Sequence, residues 1–322
     1  MGVKIIAETC QNHNGDFELL KNMVREAAAA GASYIKGQLI FSSNLTYRKR
    51  FEDGKVRPNG IRIAIKRPYR PEFERLYTLD LSEEQHEEFA RLCRHFEVTP
   101  LMTVFTLDRI DFALRLAKGG EQVVKVASPD CASPVLLEEL AVAFDHLIVS
   151  TGGATDEEIE RAANIVRRKG KELTLLHCVS LYPNTLELCN LARMEWLATL
   201  ADHVGWSDHT APAKDKLIAS KAAILLGAEY VERHFTVLPP DQSKDGPVSI
   251  SPSQLKELVQ FAGYAPDRQD ALLRNEFPGW RDTLYGSRHR ELSHQERLTM
   301  DYFRGRFAAK RADGHPQYNW EL

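Results

Sequence analysis

The chain has 322 residues, with 42 Lys and Arg against 45 Asp and Glu, a formal charge of −3, and 43% hydrophobic against 27% charged residues. This composition excludes a disordered chain. The near-balanced charge, without a long basic run, argues against nucleic acid as a partner, because that binding needs clustered cations to displace counterions from phosphates. No apolar stretch approaches the roughly twenty residues needed to cross a bilayer, and the N-terminus lacks a basic segment followed by an apolar one, so no membrane partner and a cytoplasmic location are expected.

Short runs rich in Val, Ile and Leu predict strands at Lys4–Thr9, Tyr34–Ile40, Pro100–Phe105, Val123–Ala127, Leu147–Thr151, Leu173–Val179, His203–Ser207 and Tyr230–Thr236. They are nearly continuous apolar runs, as in parallel strands covered on both faces. Between them, apolar spacings of three and four predict helices at Glu18–Ala30, Ser82–Phe96, Asp108–Lys118, Pro134–Ala143, Asp156–Lys169, Thr185–Leu200, Asp215–Leu226 and Ser253–Ala262. Ser82, Thr155 and Ser251 stand where helices should start, and Gly31, Gly119, Gly170 and Gly227 where they should stop. Eight strand–helix units predict an α/β fold, a closed (β/α)₈ TIM barrel, with a doubly wound open sheet as the alternative.

Two segments exceed a minimal barrel. Phe41 to Asp80, after the second strand, is rich in Arg, Pro and Tyr; a connection of that length is usually functional and is read as a lid over the barrel mouth. The C-terminal stretch carries Trp280, Tyr285, Tyr302, Phe303, Phe307, Tyr318 and Trp320, too aromatic for plain disorder. The expected division is a catalytic barrel over 1–264 and an extension over 265–322 that packs on the barrel or on the partner subunit of a homodimer. The five cysteines, Cys10, Cys93, Cys131, Cys178 and Cys189, are odd in number and never CxxC, which points to reduced thiols.

A barrel enzyme carries its chemistry at the C-terminal strand ends. The polar residues there are Glu8, Lys36, Gln38, Thr103, Lys125, Ser128, Ser150, His177, Tyr182, Ser207, Asp208, His209, Glu232 and His234, with Asp245 shortly after. Singly, each has a duller reading: a lysine that snorkels, carboxylates that only pair with lysines, hydroxyls bonded to backbone, a satisfied core histidine at His177. Jointly, lysines and hydroxyls at one mouth suit a small, highly charged phosphate or carboxylate ligand. His209 and His234 suit a divalent metal with open positions for polarising a carbonyl. Neither GxGxxG nor GxxxxGK[ST] occurs.

The stretches Ala7–Asp16, Ile35–Gln38, Lys125–Ser128, Ser150–Gly152, Leu176–Pro183, Gly205–Thr210 and Val231–Thr236, with NHNG, HCVSLYP, SDHT and ERHFT in that order, resemble the N-acetylneuraminate (sialic acid) synthase family. The resemblance implies a transferase that condenses phosphoenolpyruvate with a sugar aldehyde, giving a 2-keto-3-deoxy sugar acid and phosphate. It implies that Lys36, Thr103, Lys125, Ser128, Ser150 and Ser207 hold phosphoenolpyruvate and that His209 and His234 bind Mn²⁺ or Mg²⁺. Glu8, Gln38, Ser180, Tyr182 and Asp245 would face the sugar, and Glu8 or Asp245 would manage protons.

Three departures qualify it. The family's C-terminal antifreeze-like domain would start about where this sequence ends, at Leu322, so the acceptor need not be N-acetylmannosamine. Ser180, Gly37 and Val104 replace other family residues. Cys10 stands where the family usually has Gly. The related octulosonate- and heptulosonate-phosphate synthases carry a metal-binding Cys there, and their later Asp-Gly-Pro resembles Asp245-Gly246-Pro247. Either Cys10 fills space, or it joins His209 with Glu232 or Asp245 in a site favouring Zn²⁺ or Fe²⁺. An octulosonate-type or specialised-metabolite synthase with an unusual aldehyde, and a barrel that binds a sugar acid or phosphate without turnover, are the alternatives.

Overall fold

The computed structural model describes residues 2–321. Eight parallel strands close into a barrel: β1 Lys4–Glu8, β2 Tyr34–Leu39, β3 Thr99–Val104, β4 Val123–Val126, β5 His146–Ser150, β6 Glu172–Cys178, β7 His203–Asp208 and β8 Tyr230–His234. Each pairs with the next in sequence and β8 closes on β1, with Lys4 opposite Tyr230 and Glu8 opposite His234. The outer ring is α1 Phe17–Ala29, α2 Glu83–His95, α3 Ile110–Ala117, α4 Pro134–Ala143, α5 Asp156–Arg168, α6 Arg193–Leu197, α7 Ile218–Leu225 and α8 Pro252–Ala262. The start signals act as expected: Ser82, Thr155 and Ser251 form reciprocal capping boxes with Gln85, Glu158 and Gln254.

Two helices differ from expectation. Instead of a helix over Thr185–Leu200, there is a 3-10 turn at Leu186–Leu188 and the short α6. Asn190 turns into the left-handed region at φ 47°, and the next two amides, of Leu191 and Ala192, donate to the carbonyls of Leu284 and Tyr285 in the C-terminal segment. Tertiary partners have taken the bonds a longer helix would make. The helix expected over Asp215–Leu226 is split at Lys216, φ 49°, into a single turn at Pro212–Asp215 and α7.

The alternation of β-strand side chains decides where the site sits. Ile6, Tyr34, Leu101, Val123, Ile148, Leu176 and Tyr230 point into the barrel and pack as one buried cluster, each burial contributing roughly 1.5–3 kcal/mol. On β7 the corresponding position is Gly205, where a Cβ would lie 2.7 Å from Leu176 and 2.2 Å from the Tyr230 carbonyl. Two residues further along each strand come Glu8, Lys36, Thr103, Lys125, Ser150, Cys178, Ser207 and Glu232, all buried. The barrel therefore has an apolar plug and, directly above it, a layer in which every residue is polar or a thiol.

The insertion and the C-terminal segment cover that end together. Phe41–Asp80 contains a two-strand hairpin, Lys55–Val56 with Arg62–Ala64, and a helix at Tyr69–Tyr77. The C-terminal segment adds α9 Pro266–Glu276 and α10 Trp280–Leu284 against α7, then α11 His294–Phe303 and a small hairpin. The Thr46 amide donates to the Arg306 carbonyl, the Ala308 amide to that of Asn44, and the Arg48 guanidinium to those of Tyr302 and Arg304. Asn319 reaches Phe105 and Asp130 at the ends of β3 and β4. Trp280, Tyr302 and Phe307 are buried within the chain, while Trp320, stacked on Tyr318, stays 43% exposed. Among the described residues no helix is long and apolar enough to cross a membrane.

Candidate active site

The polar layer is an ion-paired network. Lys36 Nζ lies 2.6 Å from Glu8 Oε2 and 3.0 Å from Glu232 Oε2, and Lys125 Nζ is 3.9 Å from the same Glu232 oxygen. Lys125 donates to Ser150 Oγ at 2.6 Å, Ser207 Oγ donates to Glu232 at 2.9 Å, and Gln38 donates to Glu8 at 3.0 Å. Lys36 and Lys125 are only 4% and 2% exposed. Burial, helped by the neighbouring Lys125, draws Lys36 down to about 7 in spite of Glu232. Against burial, the two lysines hold Glu232 well below the usual carboxylate range. Thr103 Oγ1 is buried with no partner, a free donor in the same layer. The ion-pair reading of these residues and the ligand-binding one are compatible: two lysines carry six N–H donors, more than the carboxylates consume.

Beside Lys125, Gly152 makes room for a cradle. A Cβ there would sit 2.4 Å from Ser180 Oγ, 2.7 Å from Cys178 Sγ and 3.1 Å from Ser128 Oγ, and Ser128 and Cys178 are themselves 3.2 Å apart. Sequence reasoning assigned neither this glycine nor Cys178 a place in the site; only the convergence of β4, β5 and β6 shows what the missing side chain is for. Ser180, expected on the sugar side, is grouped by this geometry with Ser128.

A second cluster stands at the end of β1 and after β8. Cys10 Sγ donates to Asp245 Oδ2 at 2.9 Å, and Cys10, His234 and Asp245 each offer a ligand atom within 4.8 Å of the others. His209 lies alongside, its ring 5.4 Å from that of His234, its Nδ1 3.0 Å from the Val179 carbonyl, and Tyr182 packs on it at 4.1 Å. Burial and His234 bring His209 down to about 3, and burial lowers His234. Neutral imidazoles, a thiol and a carboxylate are a donor set that fits a divalent ion. The buried Nδ1 of His234 has no partner of its own. Cys10 has φ 46°, a left-handed conformation that costs a non-glycine residue of order 1 kcal/mol. Glu232 stands apart from this cluster, engaged by the lysines and Ser207; of the two carboxylates considered for a mixed metal site, the geometry selects Asp245.

Two further residues are structural. His177 Nε2 donates to the Cys189 carbonyl, 2.7 Å away, against the Trp206 ring. Asp208 faces outward, paired with the fully buried Arg233 at 2.7 Å and bonded to Thr210 and Ser220.

A barrel whose mouth joins a lysine–hydroxyl cradle to a thiol–imidazole–carboxylate cluster has the make-up of an enzyme site for a small anionic substrate. A profile of the NeuB family matches residues 23–265. The chain is 31% identical over 261 residues to N,N'-diacetyllegionaminic acid synthase of Campylobacter jejuni, covering 79% of this chain and 73% of that protein. It is 31% identical over 267 residues to N-acetylneuraminate-9-phosphate synthase of Drosophila melanogaster, covering 80% and 66%. The crystal structure of N-acetylneuraminic acid (sialic acid) synthetase from Leptospira borgpetersenii serovar Hardjo-bovis in complex with citrate superposes with a TM-score of 0.68 at 26% identity, covering 88% of this chain and 93% of that one. The chain belongs to the NeuB family.

Proposed function

We propose that the protein condenses phosphoenolpyruvate with an aldose, releasing phosphate and giving a 2-keto-3-deoxy sugar acid of the nonulosonate type. The observation that carries this reading is the polar layer above the apolar plug. It sets cationic and hydroxyl donors for a small polyanion beside a separate cluster suited to an aldehyde. Lys36 and Lys125, with Thr103, Ser128, Ser150 and Ser207, hold phosphoenolpyruvate by charge-assisted hydrogen bonds. Gln38, Tyr182 and Asp245 face the acceptor. The electron pair of the enol double bond forms the bond from C3 to the aldehyde carbon, the aldehyde oxygen takes a proton, water adds at C2, and phosphate leaves from C2. Glu8 and Asp245 are the carboxylates placed to move those protons. A divalent ion held by Cys10, His234 and Asp245, with His209 alongside, would supply Lewis-acid polarisation of the aldehyde. The thiol favours Zn²⁺ or Fe²⁺ over the Mn²⁺ or Mg²⁺ implied by resemblance. The expected homodimer and a cytoplasmic setting, which suits five unpaired cysteines, belong to the same proposal.

The test is consumption of phosphoenolpyruvate, with each metal in turn, across N-acetylmannosamine, mannose, arabinose 5-phosphate and erythrose 4-phosphate. Turnover with one sugar establishes the reaction; binding of phosphoenolpyruvate with turnover by none points to an aldehyde outside this panel, and absence of binding leaves the non-catalytic barrel as the surviving reading. The contact between Cys10 and Asp245 favours an octulosonate-type enzyme as the second reading, and turnover with arabinose 5-phosphate alone would select it.

A further inference from the structure

A cavity of about 620 Å³ lies between the insertion, the start of α5 and the C-terminal segment, and no residue of the polar layer or of the thiol–imidazole cluster lines it. That volume suits one small molecule. Its walls carry four guanidiniums, of Arg48, Arg50, Arg297 and Arg304, against two carboxylates, Glu158 and Asp301. Both carboxylates are already engaged. Arg304 binds Glu158 through two bonds, at 2.8 and 2.6 Å, and Arg50 lies 2.7 Å from Asp301, which Arg48 also approaches. Close by, Arg161 stands near Glu158, Asp130 near Arg304, and Arg306, itself paired with Glu72, near Arg48. The hydrogen bonds of Arg48 and Arg297 go to main-chain carbonyls, those of Tyr302 and Arg304 for the first and that of Leu292 for the second. Nε of Arg48 and Nε of Arg304 are buried with no partner. The Arg48 guanidinium lies over the Phe51 and Tyr302 rings, at 4.5 and 5.1 Å, which fixes its plane. Two guanidiniums in excess of the carboxylates, one of them held rigid, match the charge and the planar recognition of a phosphate dianion.

The same walls carry an aromatic platform. Tyr318 and Trp320 stack with ring centroids 4.9 Å apart and planes within 2°. Gly305 lets them lie against the backbone, since a Cβ there would come 2.7 Å from Trp320 and 3.2 Å from Tyr318. With Tyr318 stacked on it, the indole is still 43% exposed, so ring surface remains open for a planar group. A free amino acid fits poorly, because its ammonium group would need a carboxylate and both are in use. We propose that this cavity is a second ligand site, taking a planar aromatic ring joined to a phosphate, as in a nucleoside monophosphate. The ring stacks on Trp320 and the phosphate meets Arg48 and Arg297. The site backs onto the phosphoenolpyruvate cradle without opening into it. Gly152 leaves the space of the cradle, whereas its neighbour Gly153 lines the cavity and is covered by Met300, whose Cγ would be 2.1 Å from a Cβ there. The inference is independent of the condensation reading.

The experiment is calorimetric titration of the full chain with AMP, GMP, CMP and UMP, and with the nucleoside and ribose 5-phosphate that correspond to whichever binds. At least one nucleotide should bind with Kd below about 1 mM, and its nucleoside and ribose 5-phosphate at least about tenfold more weakly. Trp320→Ala and Arg297→Gln, both at exposed side chains, should each weaken the nucleotide at least about tenfold with the melting temperature unchanged, and millimolar phosphoenolpyruvate should not displace it. Absence of binding by all four nucleotides would overturn the inference. So would ribose 5-phosphate or the nucleoside binding as well as the nucleotide, displacement by phosphoenolpyruvate, or unchanged affinity in both variants.

Discussion

The lysines low in the mouth and the arginines at its rim carry the same charge in opposite settings. Lys36 and Lys125 sit on strands, nearly inaccessible, and are matched one for one by Glu8 and Glu232. Arg67, Lys244 and Arg306 come from loops and Arg75 from the helix Tyr69–Tyr77, and Arg75 and Arg306 both bond Glu72. The difference follows from solvent. A buried cation without a partner costs several kcal/mol, so the inner site must be neutral to fold empty. At the rim, water and salt screen the exposed Lys244, while the buried Arg306 is held by its pairing with Glu72.

Breaking the inner balance should have the largest effect. Lys125→Met leaves Glu232 with Lys36 and Ser207 alone, and kcat/KM for phosphoenolpyruvate should fall by about a thousandfold or more. Stability should drop by roughly 3 kcal/mol, because a buried charge loses one of its partners; Lys244→Met at the rim should cost less than about 1 kcal/mol. Denaturant unfolding of both proteins checks the contrast, and equal losses would erase the distinction between the two regions. Gly152→Ala comes next. Its methyl group would occupy the cradle formed by Ser128, Cys178 and Ser180, so phosphoenolpyruvate binding measured by calorimetry should weaken by about a hundredfold. An unchanged affinity would show that the cradle lies outside the anion site.

Cys10 separates a strained residue from a useful one. Cys10→Gly relieves the left-handed backbone and should raise stability by up to about 1 kcal/mol. It also removes the thiol from the group with His234 and Asp245, so affinity for Zn²⁺, followed by competition with a chromogenic chelator, should fall at least about tenfold. If stability rises and Zn²⁺ affinity holds, the thiol fills space and nothing more.

The inner region was legible in the sequence because strand geometry is local. Each polar residue follows an apolar one by two positions, as Glu8 follows Ile6, Lys36 follows Tyr34 and Glu232 follows Tyr230, so the strands that were predicted also aimed the side chains. All eight strands form, with bounds shifted by two residues at most. The rim was not legible. Arg67 and Arg75, on the insertion, meet Arg306 only because the insertion is hydrogen-bonded to the C-terminal segment. Gly152 was missed for a related reason: its role is the space it leaves, which three strands define. The helix expected over Thr185–Leu200 failed where the Leu284 and Tyr285 carbonyls compete for its amides, and helical periodicity carries no trace of that competition.

The smallest expected effect tests whether the inner balance is tuned as well as neutral. Lys36 is drawn down to about 7 by burial, with Lys125 beside it. Below that pH it is an ammonium ion and above it a neutral amine, so the free enzyme loses a cation as pH rises. Affinity for phosphoenolpyruvate should therefore fall with rising pH, by about fivefold between pH 7 and 8 for a single group of that pKa. A bound polyanion favours the ammonium form, so binding at pH 8 should take up close to one proton. Calorimetry in two buffers of different ionisation enthalpy measures that uptake. The rim predicts no such uptake, since guanidiniums stay charged throughout this range. Lys36→Arg should accordingly flatten the pH profile and abolish proton uptake even where its altered shape weakens binding; uptake persisting in that variant would move the titrating group elsewhere in the mouth.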